Sequence, residues 1–309
     1  MDKVLVIGGT GLVGKHLCKK LQERGYKVSL LSRSKKRVNS TTIFYWNPNK
    51  GEIEKRSLES IDCIINLAGA NISGKRWTTR RKKQILDSRV NSGSLIYNTI
   101  KEQNHNIKTY ISASAIGYYG ASTSQKIFSE TDLPANDFLG EVCQKWEQAT
   151  NKHIELGIRT VNIRTGIVLT KHGGALKKLA QPIKLNIGSV IGSGRQYIPW
   201  IHIDDLCEIY IKAITHKKIK GALNAVAPSH ITNKDFTHLL ANVLKKKILL
   251  PNIPSVIMKL IFGEMSKLIL NGSRVSSNKI VALGYNFIFP QLGGALKEIL
   301  IKKAHHKVV

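Results

Sequence analysis

Short apolar runs alternate with amphipathic, helix-like stretches along the first half of the chain. The five runs are Val4–Ile7, Val28–Leu31, Cys63–Leu67, Thr109–Ser112 and Thr160–Ile163. Strands that are apolar throughout are typical of a parallel sheet, and their alternation with helices places helices on both of its faces. The pattern therefore predicts an α/β fold built on a doubly wound parallel sheet.

The alternation changes after residue 170, where glycine-rich turns become frequent. Turns are indicated at Gly173-Gly174 and between Gly188 and Gly194. The segment Trp200–Asp205 then returns the chain to the first domain. We expect a second, smaller domain that is interwoven with the first and leaves a substrate cleft. The predicted division is 1–170, with a return segment at about 196–230, for the first domain, and 171–195 with 231–309 for the second.

A glycine-rich stretch, Gly8–Gly14, stands between the first apolar run and a segment with helical spacing. Gly8 permits a tight turn, Gly11 lets a pyrophosphate approach the backbone, and Gly14 lets the helix pack closely on the strand. The N–H groups and the positive dipole end of that helix then face the phosphates. This order of strand, turn and helix predicts a Rossmann fold that binds a dinucleotide. The residues expected to line the cradle are Gly8, Thr10, Gly11, Leu12, Val13 and Gly14.

The ends of the next two runs refine the expected cofactor. About twenty residues beyond the glycines, where an NAD enzyme usually carries an acid, the chain carries Ser32 and Arg33. A guanidinium pairs with a 2′-phosphate that a carboxylate would repel, so NADP(H) is favoured over NAD(H). The alternative is that Arg33 only begins a solvated basic run, Lys35–Arg37. The small residues of Leu67–Gly69 would let the backbone run close under the cofactor.

Composition limits the class of protein. The 309 residues, 42% of them hydrophobic, suffice for one large domain or two closely joined ones. The first run begins almost at once, so no cleavable leader is expected, and the apolar stretch Ile248–Met265 is interrupted by prolines and a lysine. Four widely spaced cysteines without a CxxC pair suit a reducing compartment. We expect a cytoplasmic protein without a membrane partner.

The formal net charge of +28 would ordinarily favour nucleic-acid binding. The basic residues are nevertheless scattered over the chain, without an interleaved aromatic platform or a recognised nucleic-acid module. Solvated helix faces explain this distribution better, so no specific nucleic-acid partner is expected. The oligomeric state is left open.

Nine motifs spread over nearly the whole chain carry a family resemblance. They are GGTGLVG from Gly8, NLAGANISGKRW from Asn66, ILDSRV from Ile85, SASAIGYYG from Ser112, NDFLGEVCQKWE from Asn136, RTGIVL from Arg164, GSGRQYIPWIHIDDL from Gly192, NAVAPSHITN from Asn224 and ALGYNFIFPQLGGALKEIL from Ala282. The chain resembles the atypical extended short-chain dehydrogenase/reductases and, more narrowly, the epimerase family with a C-terminal domain of unknown function. The resemblance implies a Rossmann fold with NADP(H). It implies cofactor contacts from Ser32, Arg33, Leu67, Ala68, Arg89 and Val168.

The catalytic pattern departs from that family. Extended short-chain enzymes use a tyrosine four residues before a lysine, and those places hold Leu139 and Cys143. Ser114 stands where the family serine or threonine holds the substrate oxygen, and Tyr118 or Tyr119 is a candidate proton donor. Lys145 or Arg89 is a candidate for tuning that donor. The alternative is that both tyrosines only pack the loop.

The substrate is less defined than the cofactor. Ile198 occupies the place where nucleotide-sugar enzymes of this fold commonly carry an arginine, although Arg195 lies near, and Arg76 with Trp77 are further cleft candidates. His202 and its two following aspartates more often cap a helix than bind a metal, so no metal is predicted. The leading hypothesis is an NADP(H)-dependent oxidoreductase or epimerase acting on a small carbonyl or alcohol, or on a sugar-nucleotide-like substrate. The alternative is an NADP(H)-binding sensor or interaction protein that has lost turnover.

Overall fold

The computed structural model describes residues 3–34 and 41–301, so the predicted basic run 35–37 lies outside the described residues. The chain divides into two compact units whose segments alternate in sequence. The first unit comprises Met1–Gly120, Glu130–Thr165 and Cys207–Asn224, and the second comprises Ala121–Ser129, Gly166–Leu206 and Ala225–Val309.

An eight-stranded sheet forms the centre of the first unit. Its strands are β1 Lys3–Ile7, β2 Lys27–Ser32, β3 Thr42–Asn47, β4 Glu52–Ile53, β5 Cys63–Asn66, β6 Thr109–Ala115, β8 Arg159–Thr165 and β11 Gly221–Ala225. Their order is β11-β8-β6-β5-β1-β2-β3-β4, and the pairs from β8 through β3 are parallel. The chain thus starts in the middle of the sheet and winds outward in both directions, which is the doubly wound arrangement.

Helices connect these strands and cover the sheet. They are α1 Leu12–Glu23, α2 Thr79–Lys101, α3 Phe138–Asn151 and α5 Ile203–Thr215. Side chains from the central strands and from α2, such as Leu5, Ile64 and Ile96, form one buried apolar core. The predicted fold class is confirmed, and each of the five apolar runs is a strand. The strand β3 was not predicted, because most of its side chains are half-buried and its sequence lacks a continuous aliphatic run.

The second unit has its own core and its own elements. These are β7 Ile127–Phe128, β9 Ile167–Leu169, α4 Gly174–Lys184, β10 Trp200–His202, α6 Asn233–Val243, α7 Ser255–Phe262, α8 Lys267–Leu270, β12 Arg274–Val275, α9 Asn278–Ala282 and α10 Leu292–Ile301. Its buried apolar cluster includes Trp200, Phe236 and Leu296. Besides the short segment Ala121–Ser129, the unit comprises Gly166–Leu206 and Ala225–Val309. The predicted domain division stays a prediction. A role for this unit in substrate binding stays a prediction.

The segment from His202 to Asp205 joins β10 to the C-terminal part of the second unit. The buried Asp205 carboxylate accepts hydrogen bonds from the Tyr285 hydroxyl at 2.7 Å, from Ile288 N at 2.7 Å and from Phe289 N at 3.0 Å. His202 Nδ1 accepts from the backbone of Asp204 at the start of α5, at 3.1 Å. The His202 contact is the helix cap that the sequence predicts. The three Asp205 contacts instead anchor the segment 285–289 and were not predicted.

The described residues contain neither a metal-binding cluster nor a membrane-spanning helix. Across residues 3–34 and 41–301, no group of three or more His, Cys, Asp and Glu side chains is arranged to hold a metal ion. Within the same ranges, no helix is both long enough and apolar enough to cross a membrane.

We expect Asp205→Ala to lower the free energy of unfolding by roughly 3 kcal/mol, because the buried Tyr285 hydroxyl and two part-buried backbone N–H groups lose a charged acceptor. Urea denaturation measures the change. Asp204→Ala is the matched control, because the Asp204 carboxylate is next in sequence and is partly exposed. Its removal should lower the free energy of unfolding by less than about 1 kcal/mol. Equal losses for the two variants would contradict the anchoring role of Asp205.

Candidate functional site

The glycine turn after β1 is closed to larger residues at two of its positions. Gly8 has a φ of +79°, a conformation that L side chains rarely adopt, and its carbonyl accepts from Gly11 N at 3.0 Å. A Cβ atom on Gly14 would stand 2.3 Å from the Gly8 carbonyl oxygen and 2.7 Å from Gly9 Cα. The glycines at both positions are therefore demanded by backbone contact, as the sequence predicts.

The first turn of α1 is open toward a ligand. Thr10, Gly11 and Leu12 are exposed, the capping residue Gly11 contributes no side-chain cap, and the turn contains no acidic residue. An exposed helix start without a carboxylate favours an anion through its N–H groups and dipole. The cradle formed by Gly8–Gly14 therefore fits the pyrophosphate of a dinucleotide.

The loop after β5 lies directly against this turn. A Cβ atom on Gly8 would approach the Leu67 carbonyl carbon to 3.0 Å and Ala68 N to 3.2 Å. The fully buried Asn66 holds the loop, since its Oδ1 accepts from Ala68 N at 3.0 Å and its Nδ2 donates to the Tyr110 hydroxyl at 2.8 Å. Sequence reasoning missed the Asn66–Tyr110 contact. An amide at the end of an otherwise apolar strand was the available signal, because a buried amide requires partners.

Ser32 and Arg33 stand at the end of β2, the strand that pairs with β1 through Ile7 and Leu31. The hydroxyl of Ser32 accepts from the backbone of Ser34 at 3.1 Å, and Arg33 is exposed. The two residues thus lie at the carboxyl edge of the sheet, next to the strand that leads into the cradle. This is where the ribose end of a dinucleotide is bound in Rossmann folds.

Arg89 of α2 reaches the same loop. Its Nη1 donates to the Ile85 carbonyl at 2.9 Å and to the Ala70 carbonyl at 3.2 Å, and its guanidinium lies 4.9 Å from the Trp146 ring centroid. Burial lowers the pKa of Arg89 to about 10, which leaves it charged at neutral pH. A Cβ atom on Gly69 would stand 3.0 Å from Arg89 Cζ, so the small residue makes room for the arginine.

Ser114, near the end of β6, is bound to a buried ion pair. Its Oγ donates to Glu147 Oε1 at 2.6 Å. Arg164 of β8 donates to both oxygens of the same carboxylate, from Nε and from Nη2, at 2.8 Å each. The pair was not predicted. The arginine of the RTG motif is directly opposite Ser114 in the β6–β8 register.

The two candidate tyrosines have different surroundings. The Tyr119 hydroxyl donates to Asn224 Oδ1 at 2.7 Å and accepts from Arg164 Nη1 at 2.9 Å, and burial raises its pKa to about 12. Tyr118 is only half-buried, and its ring faces the Arg164 guanidinium, with 3.4 Å between Cζ and the ring centroid. Tyr119 therefore has a structural hydrogen-bonding role, whereas the edge of Tyr118 has more access to solvent.

Leu139, Cys143 and Glu147 occupy one face of α3, because residues four apart share a helix face. The first two are buried against the turn that carries the tyrosines: a Cβ atom on Gly117 would lie 3.3 Å from Leu139 Cβ and 3.7 Å from Cys143 Sγ. Burial raises the pKa of Cys143 to about 12, so the thiol stays protonated. The positions that hold a tyrosine and a lysine in the family are therefore occupied here by two buried side chains that pack against the turn.

Three other candidates for tuning or binding lie on α3 and in the loop before α2. Lys145 pairs with Glu141 at 2.6 Å on the exposed side of α3. Arg76 is exposed, while the Trp77 indole donates to the Ile72 carbonyl at 2.9 Å and packs edge-on against Phe138. Lys145 is thus a solvated partner of a neighbouring acid, and Trp77 stabilises the turn before α2.

The remaining candidates belong to the second unit. Val168 lies in β9, where it pairs with Ile201 of β10. Ile198 is buried and Arg195 is exposed. The predicted cofactor contact of Val168 stays a prediction.

Similarity to known proteins extends over most of the chain. A family model described as the NAD dependent epimerase/dehydratase family matches residues 4–225. The chain belongs to this family. A second model, a domain of unknown function, matches residues 253–299, within the second unit. Both matches confirm the predicted family.

Individual relatives agree with this assignment. The epimerase family protein SDR39U1 of Mus musculus is 35% identical over 96% of this chain and 99% of its own length, and the epimerase family protein YfhF of Bacillus subtilis is 35% identical over 96% and 97%. A crystal structure of human SDR39U1, isoform 2, with NADPH is 33% identical, with a TM-score of 0.85, over 96% of this chain and 98% of that one. The UDP-glucose 4-epimerase of Thermotoga maritima, at 18% identity and a TM-score of 0.79, shows the shared fold alone.

We expect Glu147→Gln to lower the free energy of unfolding by about 3 kcal/mol, because it removes the negative charge that compensates the buried Arg164. Glu141→Gln, on the exposed side of the same helix, should cost less than about 1 kcal/mol. Chemical denaturation of both variants checks the difference. Similar stability of the two variants would mean that the buried pair contributes no more than a surface pair.

Proposed function

We propose that the protein is an NADP(H)-dependent oxidoreductase or epimerase that acts on a small alcohol or carbonyl compound. The observation that carries the proposal is the Gly8–Gly14 cradle with Arg33 at the end of the neighbouring strand. The cradle receives a pyrophosphate, and the exposed guanidinium receives a 2′-phosphate. Crystallisation of the human relative with NADPH supports the same cofactor. Bound NADP(H) would supply or accept a hydride.

Asn66 and Arg89 support the cofactor side of the proposal. Asn66 fixes the Leu67–Ala68 backbone beside the glycine turn, at the ends of two neighbouring parallel strands. Arg89 adds a positive charge beside this loop. We propose that Leu67, Ala68 and Gly69 pass under the cofactor and that Arg89 binds it.

The hydrogen bond of Ser114 suggests which substrate atom it would hold. The Glu147 carboxylate has two oxygens that accept from Arg164, so the Ser114 hydroxyl is the donor in their short contact. Its proton is thereby committed, and its lone pairs are what it can offer. We propose that Ser114 accepts a hydrogen bond from a substrate hydroxyl, which favours an alcohol as the bound substrate form.

Tyr118 is the stronger candidate for proton exchange with the substrate. The Tyr119 hydroxyl already donates to Asn224 and accepts from Arg164 in a buried network, whereas Tyr118 is half-buried on the same turn. We propose that Tyr118 exchanges a proton with the substrate oxygen. Tyr119 then holds the turn in place.

A second candidate function is an NADP(H)-binding protein without turnover. The observation in its favour is the apolar packing of Leu139 and Cys143 at the places of the family's tyrosine and lysine. In this version Ser114 and Glu147 only stabilise the ends of the strands. Cofactor binding would persist, and no hydride transfer would be found.

We expect Arg33→Ala to weaken NADPH binding at least ~10-fold and to leave NADH binding unchanged, because only NADPH carries the 2′-phosphate that a bidentate arginine holds. Fluorescence titration with both nucleotides measures the two affinities. Lys27→Ala, an exposed cation at the opposite end of β2, is the control and should leave both affinities unchanged. Equal weakening of both nucleotides by Arg33→Ala would remove the argument for NADP(H).

Turnover is tested with a small-molecule cell extract, by following NADPH consumption and NADP⁺ reduction separately. We expect the parent protein to reduce NADP⁺, and Tyr118→Phe to lower the rate by about 100-fold or more, because the phenylalanine cannot take up the proton that the substrate hydroxyl loses. Ser114→Ala should lower the rate while Lys145→Ala leaves it unchanged. The second candidate would be established instead if the protein binds NADPH but neither oxidises NADPH, nor reduces NADP⁺, nor epimerises an added substrate pool.

A further inference from the structure

A cluster of exposed apolar side chains stands out in the second unit. Large apolar residues that are exposed elsewhere in the described chain are mostly isolated, but six occur between residues 249 and 261. They are Leu249, Leu250, Val256, Ile257, Leu260 and Ile261. Four of the six are on α7, and Leu260 is 72% exposed. Contiguous exposed apolar surface of this kind marks an interaction site.

These four side chains share one side of the helix. Val256 and Leu260 are one turn apart, as are Ile257 and Ile261, so they form one continuous strip, which we call the α7 face. Met258 points the other way and is buried. The helix therefore packs through Met258 and the half-buried Phe262, one turn further on, and presents its apolar strip outward, which reverses the usual orientation of a surface helix.

The backbone beside α7 is held in place, so the exposure belongs to the fold. Ile253 N donates to the Val190 carbonyl at 2.9 Å, and the Ile253 carbonyl accepts from Gly192 N at 2.9 Å. Asn252 Nδ2 donates to the Gly192 carbonyl at 3.0 Å. The segment that leads into α7 is thus bridged to the turn at 190–192.

Basic residues accompany the α7 face. The stretch 236–297 contains eight lysines and arginines and a single acidic residue, Glu264. Lys259 is exposed on α7 itself, next to the apolar strip, and Lys267 is exposed at the start of α8. An apolar helix face bordered by lysines is the pattern of helices that lie on membranes with anionic lipids.

We propose that the α7 face is a docking surface for an anionic lipid bilayer. The eight-residue helix is too short to cross a bilayer, but it can lie in the headgroup region with Val256, Ile257, Leu260 and Ile261 inserted and Lys259 at the phosphates. A second copy of the chain is a poorer occupant, because two such faces would bring their lysines together. Surface binding of this kind differs from the sequence-based expectation of no membrane partner, which the experiment below also tests.

The test is flotation of the full-length protein with vesicles of phosphatidylcholine alone or with 30% phosphatidylglycerol. We expect binding to the anionic vesicles that falls several-fold between 0.05 and 0.5 M NaCl. We also expect a decrease of about ten-fold or more in the double variant Leu260→Gln/Ile261→Gln, because two inserted side chains become polar. Leu133→Gln, a strongly exposed leucine of the first unit, is the matched control and should leave binding unchanged.

Several results would overturn the proposal. One is the absence of vesicle binding. Another is salt-sensitive binding that is as strong in the double variant as in the parent. Such binding would come from attraction between the lipid and the net charge of +28 on the whole chain, and not from the α7 face. A third is concentration-dependent dimerisation, seen by sedimentation, that the double variant abolishes, which would assign the α7 face to a second copy. Thermal unfolding of each variant, expected to match the parent, excludes misfolding as the cause.

Discussion

The buried ion pair between Glu147 and Arg164 is the contact on which the candidate site depends. Its carboxylate accepts a hydrogen bond from the Ser114 hydroxyl, and its guanidinium contacts both tyrosines of the adjoining turn. Two charges taken out of water require nearly complete pairing, so each of these neighbours has its orientation constrained. The pair thus connects α3, β6 and β8 at the carboxyl ends of the strands, where Rossmann folds bind their ligands.

This arrangement explains how a family fold can persist with a changed catalytic surface. The face of α3 that would carry a tyrosine and a lysine instead buries Leu139 and Cys143, and the charged group of that face is one turn further along, at Glu147. A buried thiol that stays protonated cannot replace a lysine. In the proposed function, the polar chemistry of the site therefore falls to Ser114 and Tyr118, at the end of β6 and in the turn that follows it, and to Arg89 of α2.

A different set of interactions holds the second unit together. Asp205 accepts three hydrogen bonds from the segment that includes Tyr285, so one carboxylate fixes a region of irregular backbone. The same unit leaves the α7 face uncovered in a strongly basic stretch. Tight internal anchoring and an open apolar strip together indicate a surface built for contact with something outside the unit.

The sequence by itself determined the fold class, the family and the glycine cradle. Apolar runs in a regular alternation and glycines between a strand and a helix are local signals, and each has one simple physical reading. Only the tertiary structure decided which polar groups meet. Glu147 and Arg164, or Asn66 and Tyr110, are far apart in sequence, and nothing in their local spacing distinguishes a buried partner from a solvated one. The same holds for α7, whose apolar residues suit a core helix equally well until the packing leaves them outside.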